Sequence, residues 1–257
     1  MEEIISVYKP IGITPYQLIQ NLRKKDSRFK DLKIGYAGRL DPLAHGVMLL
    51  TLGEGNKNRD KYLNLNKSYD FTVLFGVETD SYDYLGFLNS SAILPIPENL
   101  EEKIKNFIKN NHGKFTQPYP PFSSKPVNGI PLYKLAKSGK IDLNTIPTKD
   151  VEIFNLKLKL IETKSTADIK KEIISNLKKI KGYFRQTKTI QKWQELFKKH
   201  PDHSFTMAHF SIDCSSGTYV RSLAQRMGQD LKCNAIAYEI YRTKVGNFTI
   251  TDAMKIE

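Results

Sequence analysis

The most informative stretch of this 257-residue chain is Gly35-Tyr36-Ala37-Gly38-Arg39-Leu40-Asp41-Pro42-Leu43-Ala44-His45-Gly46. The apolar run Val47-Met48-Leu49-Leu50-Thr51-Leu52 follows it directly and predicts a buried strand. Gly35 and Gly38 allow tight or left-handed backbone geometry, and Pro42 favours an extended conformation at Asp41. An aspartate held on a loop before a core strand suits a positioned catalytic group, although an aspartate that only caps a turn fits the same pattern.

Further strands and helices surround this segment. Alternating, β-branched and aromatic runs predict strands over 4–8, 47–52, 69–75, 151–160, 207–213 and 235–241. Apolar periodicity and terminal residues predict helices over 15–24, 100–111 and 222–231, the first with Thr14 as N-cap and Pro15 at its first position. The strands and helices interleave without regular βαβ spacing, which predicts an α+β fold with a mixed, mostly antiparallel sheet.

The segment 163–205 has a different character. Residues 164–199 contain eleven Lys or Arg and three Asp or Glu, which is +8 of the formal net charge of +13. One helical face carries Ile169, Ile173, Ile174, Leu177 and Ile180, and after Gly182 a second helix is indicated by Ile190, Trp193, Leu196 and Phe197. We interpret 163–205 as a basic helical hairpin inserted into the domain, and a solvated elaboration without a partner remains the alternative.

Composition narrows the class of protein. The positive net charge indicates a polyanionic partner such as nucleic acid. Cys214 and Cys233 form no Cys-x-x-Cys motif, which fits a reducing cytoplasm. His200 and His203 have no nearby ligand pair, so no metal site is expected. No apolar run reaches ~18 residues, and the N-terminus lacks the basic region of a signal peptide, so neither a membrane span nor export is expected.

A set of ordered motifs carries a family resemblance. The glycine-rich segment around Asp41 resembles the catalytic loop of pseudouridine synthases, and the remaining blocks resemble those of the TruB type, which modifies the T-arm of tRNA. These blocks are Lys9-Pro10-Ile11-Gly12-Ile13-Thr14, Gly53-Glu54-Gly55-Asn56-Lys57, Lys67-Ser68-Tyr69, Gly76-Val77-Glu78-Thr79-Asp80, Pro120-Pro121-Phe122-Ser123-Ser124-Lys125-Pro126-Val127-Asn128-Gly129, Cys214-Ser215-Ser216-Gly217-Thr218-Tyr219-Val220-Arg221-Ser222-Leu223 and Arg242-Thr243-Lys244-Val245-Gly246-Asn247-Phe248.

The chain also departs from the family pattern. The family usually has His where this chain has Tyr36, and Thr where it has Ala37 and His45. Many members continue into a small RNA-binding PUA domain, for which the residues after Ala253 leave no room. We therefore expect one catalytic domain over 1–257 with the helical insertion and no C-terminal PUA domain.

The resemblance implies a reaction and three catalytic residues. Pseudouridine formation breaks the N1–C1′ bond of uridine, turns the base and rejoins it through C5, so no cofactor is needed. Asp41 matches the catalytic carboxylate, and attack on C1′, attack on C6 and removal of a sugar proton all remain open to it. Arg221 matches the family arginine, expected to hold Asp41 through a planar fork. Tyr69 matches the tyrosine expected to stack on the uracil and assist proton removal at C5.

The resemblance also implies an RNA partner and its contacts. The target is uridine 55 in the T-loop of tRNA, which must be extruded from the folded loop to reach Asp41. Candidate RNA contacts are Lys9, Lys67 and Arg242, with Tyr36 as a stacking surface and Thr218 and Tyr219 shaping the pocket. We expect a monomer. Two alternatives remain open: a synthase acting on ribosomal or mitochondrial RNA, and a non-catalytic tRNA-binding or tRNA-folding protein.

Overall fold

Helices and strands alternate irregularly along the computed structural model, which describes residues 3–90 and 92–256. The strands are β1 (Ile4–Lys9), β2 (Ile34–Ala37), β3 (His45–Leu52), β4 (Lys67–Phe75), β5 (Gly113–Pro118), β6 (Pro126–Val127), β7 (Ile130–Pro131), β8 (Thr148–Ser165), β9 (Ser204–Cys214), β10 (Ala235–Val245) and β11 (Phe248–Thr249). The helices are α1 (Pro15–Lys25), α2 (Arg59–Leu63), α3 (Leu100–Asn110), α4 (Leu132–Lys137), α5 (Thr166–Lys179), α6 (Gln186–Lys199) and α7 (Val220–Asp230).

Nine strands of the described residues form one large sheet. Seven of its strands run in the order β1-β3-β10-β4-β9-β8-β5, while β2 pairs with β3 and β11 pairs with β10. The pairing of β3 with β10 is parallel, and the other pairs of this sheet are antiparallel. The predicted α+β fold with a mixed, mostly antiparallel sheet is therefore confirmed.

The first helix shows how local sequence sets an element. Thr14 accepts a hydrogen bond from the Gln17 backbone N–H, and the Gln17 side chain accepts one from the Thr14 N–H, which forms a capping box. Pro15 occupies the first turn, where its missing N–H costs nothing. Leu18 and Leu22 are buried against β1 and β3, so α1 covers one edge of the sheet.

The two faces of the central strands carry different layers. On β4, Tyr69, Phe71 and Val73 point into a core shared with α3 and α7. Leu74 points to the opposite face, into a second core formed with α5 and α6. This alternation follows from the two-residue period of a strand. It places α7 and the helical hairpin on opposite sides of the sheet.

The segment 163–205 contains the ends of two strands as well as two helices. β8 continues to Ser165 and β9 begins at Ser204, so both strands are longer than predicted and extend into the segment. Between them, α5 and α6 pack against each other. Most of the predicted apolar residues are buried, since Ile169, Ile173, Leu177, Trp193, Leu196 and Phe197 are at most 2% exposed, whereas Ile174 and Ile190 are half-buried.

The remaining predicted helices and strands agree with the structure apart from shifts of a few residues at their ends. The helix predicted over 222–231 is α7, which begins earlier, at Val220. None of the helices in residues 3–90 and 92–256 combines the length and the apolar character that a membrane crossing needs.

Candidate active site

Asp41 lies on the loop between β2 and β3. Glycines in and beside this loop allow its conformation and its close packing. Gly38 has a φ of +89°, a left-handed conformation that glycine adopts without strain. A Cβ on Gly35 would come within 2.3 Å of the Asn56 side chain, so glycine lets these segments approach without a shift of that side chain. The Ala44 N–H donates to the Asp41 carbonyl at 3.1 Å, closing a turn. The Asp41 side chain remains 37% exposed and is therefore accessible to a ligand.

Arg221 reaches Asp41 from the second residue of α7. Its side chain is 3% exposed, and its Nε donates to Asp41 Oδ2 at 2.8 Å. Nη1 donates to the Ser81 carbonyl at 2.7 Å and Nη2 to the Phe122 carbonyl at 3.4 Å. The expected planar fork on the Asp41 carboxylate is therefore wrong, because one nitrogen holds the carboxylate while the other two hold main-chain carbonyls.

A second carboxylate, Asp83, shares this guanidinium. Its Oδ2 lies 3.7 Å from Arg221 Nε, and its Oδ1 accepts hydrogen bonds from Ser81 Oγ at 2.6 Å and from the Leu85 N–H at 3.0 Å. Burial raises the pKa of Asp83 more than Arg221 lowers it. Burial alone would lower the pKa of Arg221, but Asp41 and Asp83 outweigh it and raise that pKa, so Arg221 stays cationic.

Two tyrosines lie near enough to Asp41 for its charge to raise the pKa of their phenols. Tyr69 lies on β4, where it is buried, and burial raises the pKa of its phenol. Tyr219 directly precedes α7; burial, and next the charge of Asp41, raise the pKa of its phenol to about 12. Gln117 fixes the Tyr219 backbone, since its side chain accepts from the Tyr219 N–H at 2.8 Å and donates to the Tyr219 carbonyl at 3.1 Å. Both phenols are therefore neutral near pH 7.

Lys9 and Lys67 are buried, contrary to the expectation that they meet RNA phosphate. The Lys9 ammonium donates to the Ala44 carbonyl at 2.6 Å, and burial lowers its pKa to about 7 although Asp41 acts in the opposite direction. The Lys67 ammonium donates to the carbonyls of Leu63 and Leu65, and burial lowers its pKa to about 8. Lys9 thus supports the backbone of the Asp41 loop and Lys67 that of the segment between α2 and β4, and neither presents its charge to a ligand.

Arg242 is likewise internal and not an exposed RNA contact. It is 1% exposed, and it lies opposite Tyr69 in the β10–β4 pairing. Its Nε donates to the Val47 carbonyl at 2.7 Å, and its Nη1 donates to the Arg39 carbonyl at 3.1 Å. Arg242 therefore holds the glycine-rich loop from within the protein.

The other predicted contacts have distinct positions. Tyr36 is half-buried against the core of α1, with the exposed Arg39 guanidinium 5.6 Å from its ring centroid. Thr218 is buried, and its hydroxyl donates to the Ser215 carbonyl at 3.0 Å, which shapes the turn before α7. Of the predicted set, the structure thus brings Asp41, Arg221 and Tyr219 together, with Tyr69 beside them.

Sequence reasoning missed the residues that position Arg221 and Tyr219. Ser81 and Phe122 act through carbonyl groups, which leave no signal in the side-chain pattern. Asp83 and Gln117 act through buried polar side chains on a loop and on β5. An acidic residue placed shortly after the Gly-Val-Glu-Thr-Asp block was a usable signal for Asp83, since a buried cation needs a nearby carboxylate.

The arrangement provides one fixed, partly exposed carboxylate beside neutral aromatic side chains. A carboxylate stabilises or traps the positive charge that develops at C1′ when a glycosidic bond breaks. An arginine hydrogen-bonded to that carboxylate favours its ionised form and fixes its orientation. The partly exposed ring of Tyr219 supplies a surface on which a flipped base can stack, whereas Tyr69 is only 8% exposed.

Known proteins resemble this chain along most of its length. A family model described as "TruB family pseudouridylate synthase (N terminal domain)" matches residues 24–179, ending at the last residue of α5. A protein named tRNA pseudouridine synthase B from Protochlamydia amoebophila is 31% identical over 99% of this chain and 78% of its own length. One of the same name from Thermosipho melanesiensis is 30% identical over 99% of this chain and 67% of its own length.

Solved structures show the same fold at lower identity. A chain in a structure titled "Crystal Structure of a Cbf5-Nop10-Gar1 Complex" has a TM-score of 0.59 and 17% identity, covering 98% of this chain and 51% of that chain. A chain in "Structure of H/ACA RNP bound to a substrate RNA containing 2'-deoxyuridine" has a TM-score of 0.57 and 17% identity, covering 98% and 50%. This chain thus spans about half the length of those solved chains.

From the family match and the curated relatives together, the chain belongs to the TruB family of pseudouridylate synthases.

Proposed function

We propose that the protein converts one uridine of tRNA, uridine 55 in the T-loop, into pseudouridine, with Asp41 as the catalytic carboxylate. The observation that carries this proposal is the Asp41–Arg221 pair, in which a 37% exposed carboxylate is held by a guanidinium that is 3% exposed. The relatives named tRNA pseudouridine synthase B support tRNA as the substrate.

The reaction is an isomerisation and needs no external atoms. The N1–C1′ bond breaks, the base turns while it stays in the site, and a C5–C1′ bond forms. The proton on C5 is lost, and N1 gains one. Asp41 acts on the ribose or on C6 of the base during bond cleavage, and its pairing with Arg221 keeps it ionised and oriented.

Tyr69 and Tyr219 take supporting roles in this proposal. Their raised phenol pKa values keep both hydroxyls protonated near neutral pH, so each can donate a hydrogen bond while its ring faces the base. A neutral phenol is a weak base, so a contact between Tyr69 and the flipped uracil has more support than proton removal, and the partly exposed Tyr219 ring offers the larger stacking surface. Stacking of this kind contributes about 1–3 kcal/mol per base.

We further propose that the helical hairpin α5–α6 contributes RNA backbone contacts. Lys170, Lys171 and Lys178 are exposed and line a shallow groove on the hairpin. The hairpin lies close to the site, because the Lys181 N–H donates to the Gly12 carbonyl at 2.9 Å and the Gly12 N–H donates to the Pro42 carbonyl at 2.8 Å. A backbone seated along the hairpin can therefore continue to the Asp41 loop.

Two further expectations belong to this proposal. Reaction in the cytoplasm is supported by the two cysteines, Cys214 and Cys233, which are buried and free thiols in the described chain, as expected in a reducing compartment. The monomeric state stays a prediction, which analytical ultracentrifugation of the purified protein would test.

The test is substitution of Asp41 by Asn, which keeps the shape of the side chain and removes its charge. Turnover on unmodified tRNA transcript should fall roughly 1,000-fold or more, while the Kd for that tRNA stays within about 3-fold of the wild-type value. Carbodiimide mapping of pseudouridine gives both the rate and the modified position. Residual turnover above about a tenth of wild type would exclude Asp41 as the catalytic carboxylate.

The same assay distinguishes the substrates. Wild-type protein incubated separately with tRNA and with ribosomal RNA transcripts should give pseudouridine only at position 55 of tRNA. Modification of the ribosomal transcript alone would replace tRNA as the substrate and leave the role of Asp41 intact. Failure to modify either RNA, with tRNA still bound, would favour a non-catalytic tRNA-binding protein.

A further inference from the structure

Arg185 lies in the connection 180–185 between α5 and α6, inside the segment for which the sequence predicted a basic helical hairpin. Its φ is +62°, a left-handed conformation that a non-glycine residue keeps only where surrounding contacts hold it. Nη1 donates to Asp80 Oδ2 at 2.9 Å and Nη2 to Oδ1 at 3.1 Å, a two-pronged ion pair. The guanidinium also lies over the rings of Phe87 at 4.1 Å and Phe122 at 4.4 Å.

The partner of Arg185 organises the loop over 79–88. Asp80 Oδ1 also accepts a hydrogen bond from the Phe87 N–H at 2.8 Å, and the Asp80 N–H donates to the Phe87 carbonyl at 3.0 Å. The residue after Asp80 is Ser81, whose carbonyl accepts from Arg221 Nη1 at 2.7 Å. The Arg185–Asp80 pair therefore fixes the loop one residue away from a contact to Arg221.

The second aromatic ring under Arg185 belongs to another residue that holds Arg221. The Phe122 ring lies under the Arg185 guanidinium, while the Phe122 carbonyl accepts from Arg221 Nη2 at 3.4 Å. Arg185 thus contacts both of the loops whose carbonyls orient Arg221. A displacement of either loop would move the guanidinium that holds Asp41.

Other side chains of the hairpin contact the same loop. Thr189 donates to the Leu85 carbonyl at 3.1 Å, and the Trp193 indole donates to the Tyr84 carbonyl at 3.0 Å. Asn176 donates to the Tyr84 hydroxyl at 3.1 Å. The residues contacted, Tyr84 and Leu85, lie three and four positions after Ser81 in the chain. Arg185 is the hairpin residue whose partner is adjacent in sequence to the group that binds Arg221.

We propose that Arg185 is a positioning residue for the pseudouridine synthase reaction. It fixes the 79–88 loop against Phe122, which sets the guanidinium of Arg221 and through it the carboxylate of Asp41. The hairpin is then part of the structure that prepares the active site, in addition to any contact it makes with RNA. This proposal rests on the function proposed above.

The experiment compares two variants that each lose one positive charge from the same part of the chain. R185A removes the contacts with Asp80, Phe87 and Phe122, whereas K188A removes an exposed lysine of α6. With unmodified tRNA, R185A should lower kcat by about 10- to 100-fold, because small displacements of a catalytic group have effects of that size. The KM should change little in either variant, because Arg185 is 15% exposed and paired with Asp80, and Lys188 is one of several exposed lysines of the segment.

Two conservative variants and a folding measurement accompany R185A. R185K keeps the charge and loses the planar fork, and D80N weakens the same ion pair from the loop side, so both should lower kcat in the same direction. Circular dichroism melting establishes whether each variant is folded. If R185A is not folded, R185K and D80N test the proposal in its place. A kcat within about 2-fold of the K188A value in every folded variant would overturn the proposal.

A double-mutant cycle shows whether Arg185 acts through Arg221. If it does, R185A should lower kcat much less in an R221K background than in the wild type, because the group it positions is already altered. Equal fold-losses in the two backgrounds would show that Arg185 acts independently of Arg221, which also overturns the proposal. A general loss of stability would not produce this non-additivity in kcat.

The outcome for the wild-type protein separates this inference from the proposed function. Where the wild type modifies tRNA and R185A keeps its kcat, only the positioning role fails. Where the wild type modifies another RNA, tRNA fails as substrate, and the same variants measured on that RNA decide the role of Arg185. Where the wild type modifies neither RNA, both proposals fail.

Discussion

Arg221 holds three acceptors at once, and this explains why its position in the fold is so constrained. Its nitrogens donate to Asp41, Ser81 and Phe122, which belong to three different loops. A cation buried to 3% exposure is stable only when such partners and nearby carboxylates compensate for the water it gives up. Asp83, at 3.7 Å, provides the second carboxylate. Arg221 therefore joins the catalytic loop to the structure around it.

Substitution of Arg221 by Lys should therefore lower turnover although the charge is kept. A lysine ammonium cannot reach three acceptors that are spread around a planar group, so at least one loop carbonyl would lose its partner. We expect kcat to fall by about 10- to 100-fold with a smaller change in KM. Steady-state kinetics on tRNA transcript measure both, with K188A as the control for general effects of substitution. A wild-type kcat in R221K would contradict a role for Arg221 in orienting Asp41.

The buried charge of Lys9 lowers the free energy of unfolding of the protein. Burial lowers its pKa from 10.5 to about 7, so its charged form is disfavoured in the folded state. Below pH 7 the lysine is protonated in both the folded and unfolded states, and the cost of burying the charge is fully present. Between about pH 7 and 10.5 the unfolded state binds more protons, so the free energy of unfolding contributed by Lys9 rises with pH.

The K9M variant should lack this pH dependence. The difference in unfolding free energy between wild type and K9M should shift in favour of the wild type as the pH rises from about 7 to 10, and should be flat below pH 6. Urea denaturation across this range measures it, and Lys67, whose pKa is lowered in both proteins, cancels in the difference. A flat difference over the whole range would show that Lys9 is not desolvated.

The sequence predicted some of these side chains correctly and not others, for a physical reason. Asp41 and Arg221 stand in motifs that resemble those of one family, and their pairing follows from the expectation that a catalytic carboxylate needs a cationic partner to stay ionised. Lys9 and Lys67 have the same motif-level support, yet a motif does not show whether a cation faces solvent or donates to backbone carbonyls inside the protein. Phe122 contributes a carbonyl, which no side-chain pattern reveals.

Among the helices and strands, the hairpin shows what periodicity does and does not determine. The spacing of Ile169, Ile173 and Leu177 predicted a buried helical face, and all three side chains are fully buried. Periodicity could not identify the partner of that face, which includes Leu74 of β4 and Met207 of β9. That partner depends on how distant strands pair, which local sequence does not encode. Removal of the hairpin would expose this core, so its role in RNA binding is better tested by changing its surface.

The protein as a whole carries its positive charge unevenly, and this bears on how RNA approaches the site. The segment 164–199 contributes +8 of the net +13, and most of its lysines are exposed. The apolar side of α5 and α6 packs on the sheet, which leaves the charged side facing outward. A polyanion approaching the protein is therefore attracted toward the hairpin, whose connection to Gly12 brings it close to the Asp41 loop.

Neutralising the groove of the hairpin should weaken the salt dependence of tRNA binding. In the triple variant K170Q/K171Q/K178Q, each lysine that no longer neutralises a phosphate should flatten the slope of log K against log salt by about 0.7–0.9, so three such lysines give a change of about 2. The variant K103Q/K105Q/K109Q removes the same charge from α3, on the opposite face of the sheet, and should change the slope by less than about 0.5. Filter binding between 50 and 300 mM salt measures both.

The kcat at saturating tRNA should stay within about 2-fold of wild type, because the three groove lysines form none of the hydrogen bonds that hold the 79–88 loop or Arg221. Equal slopes for the two triple variants would show that the hairpin surface contributes only diffuse charge and binds no phosphate specifically.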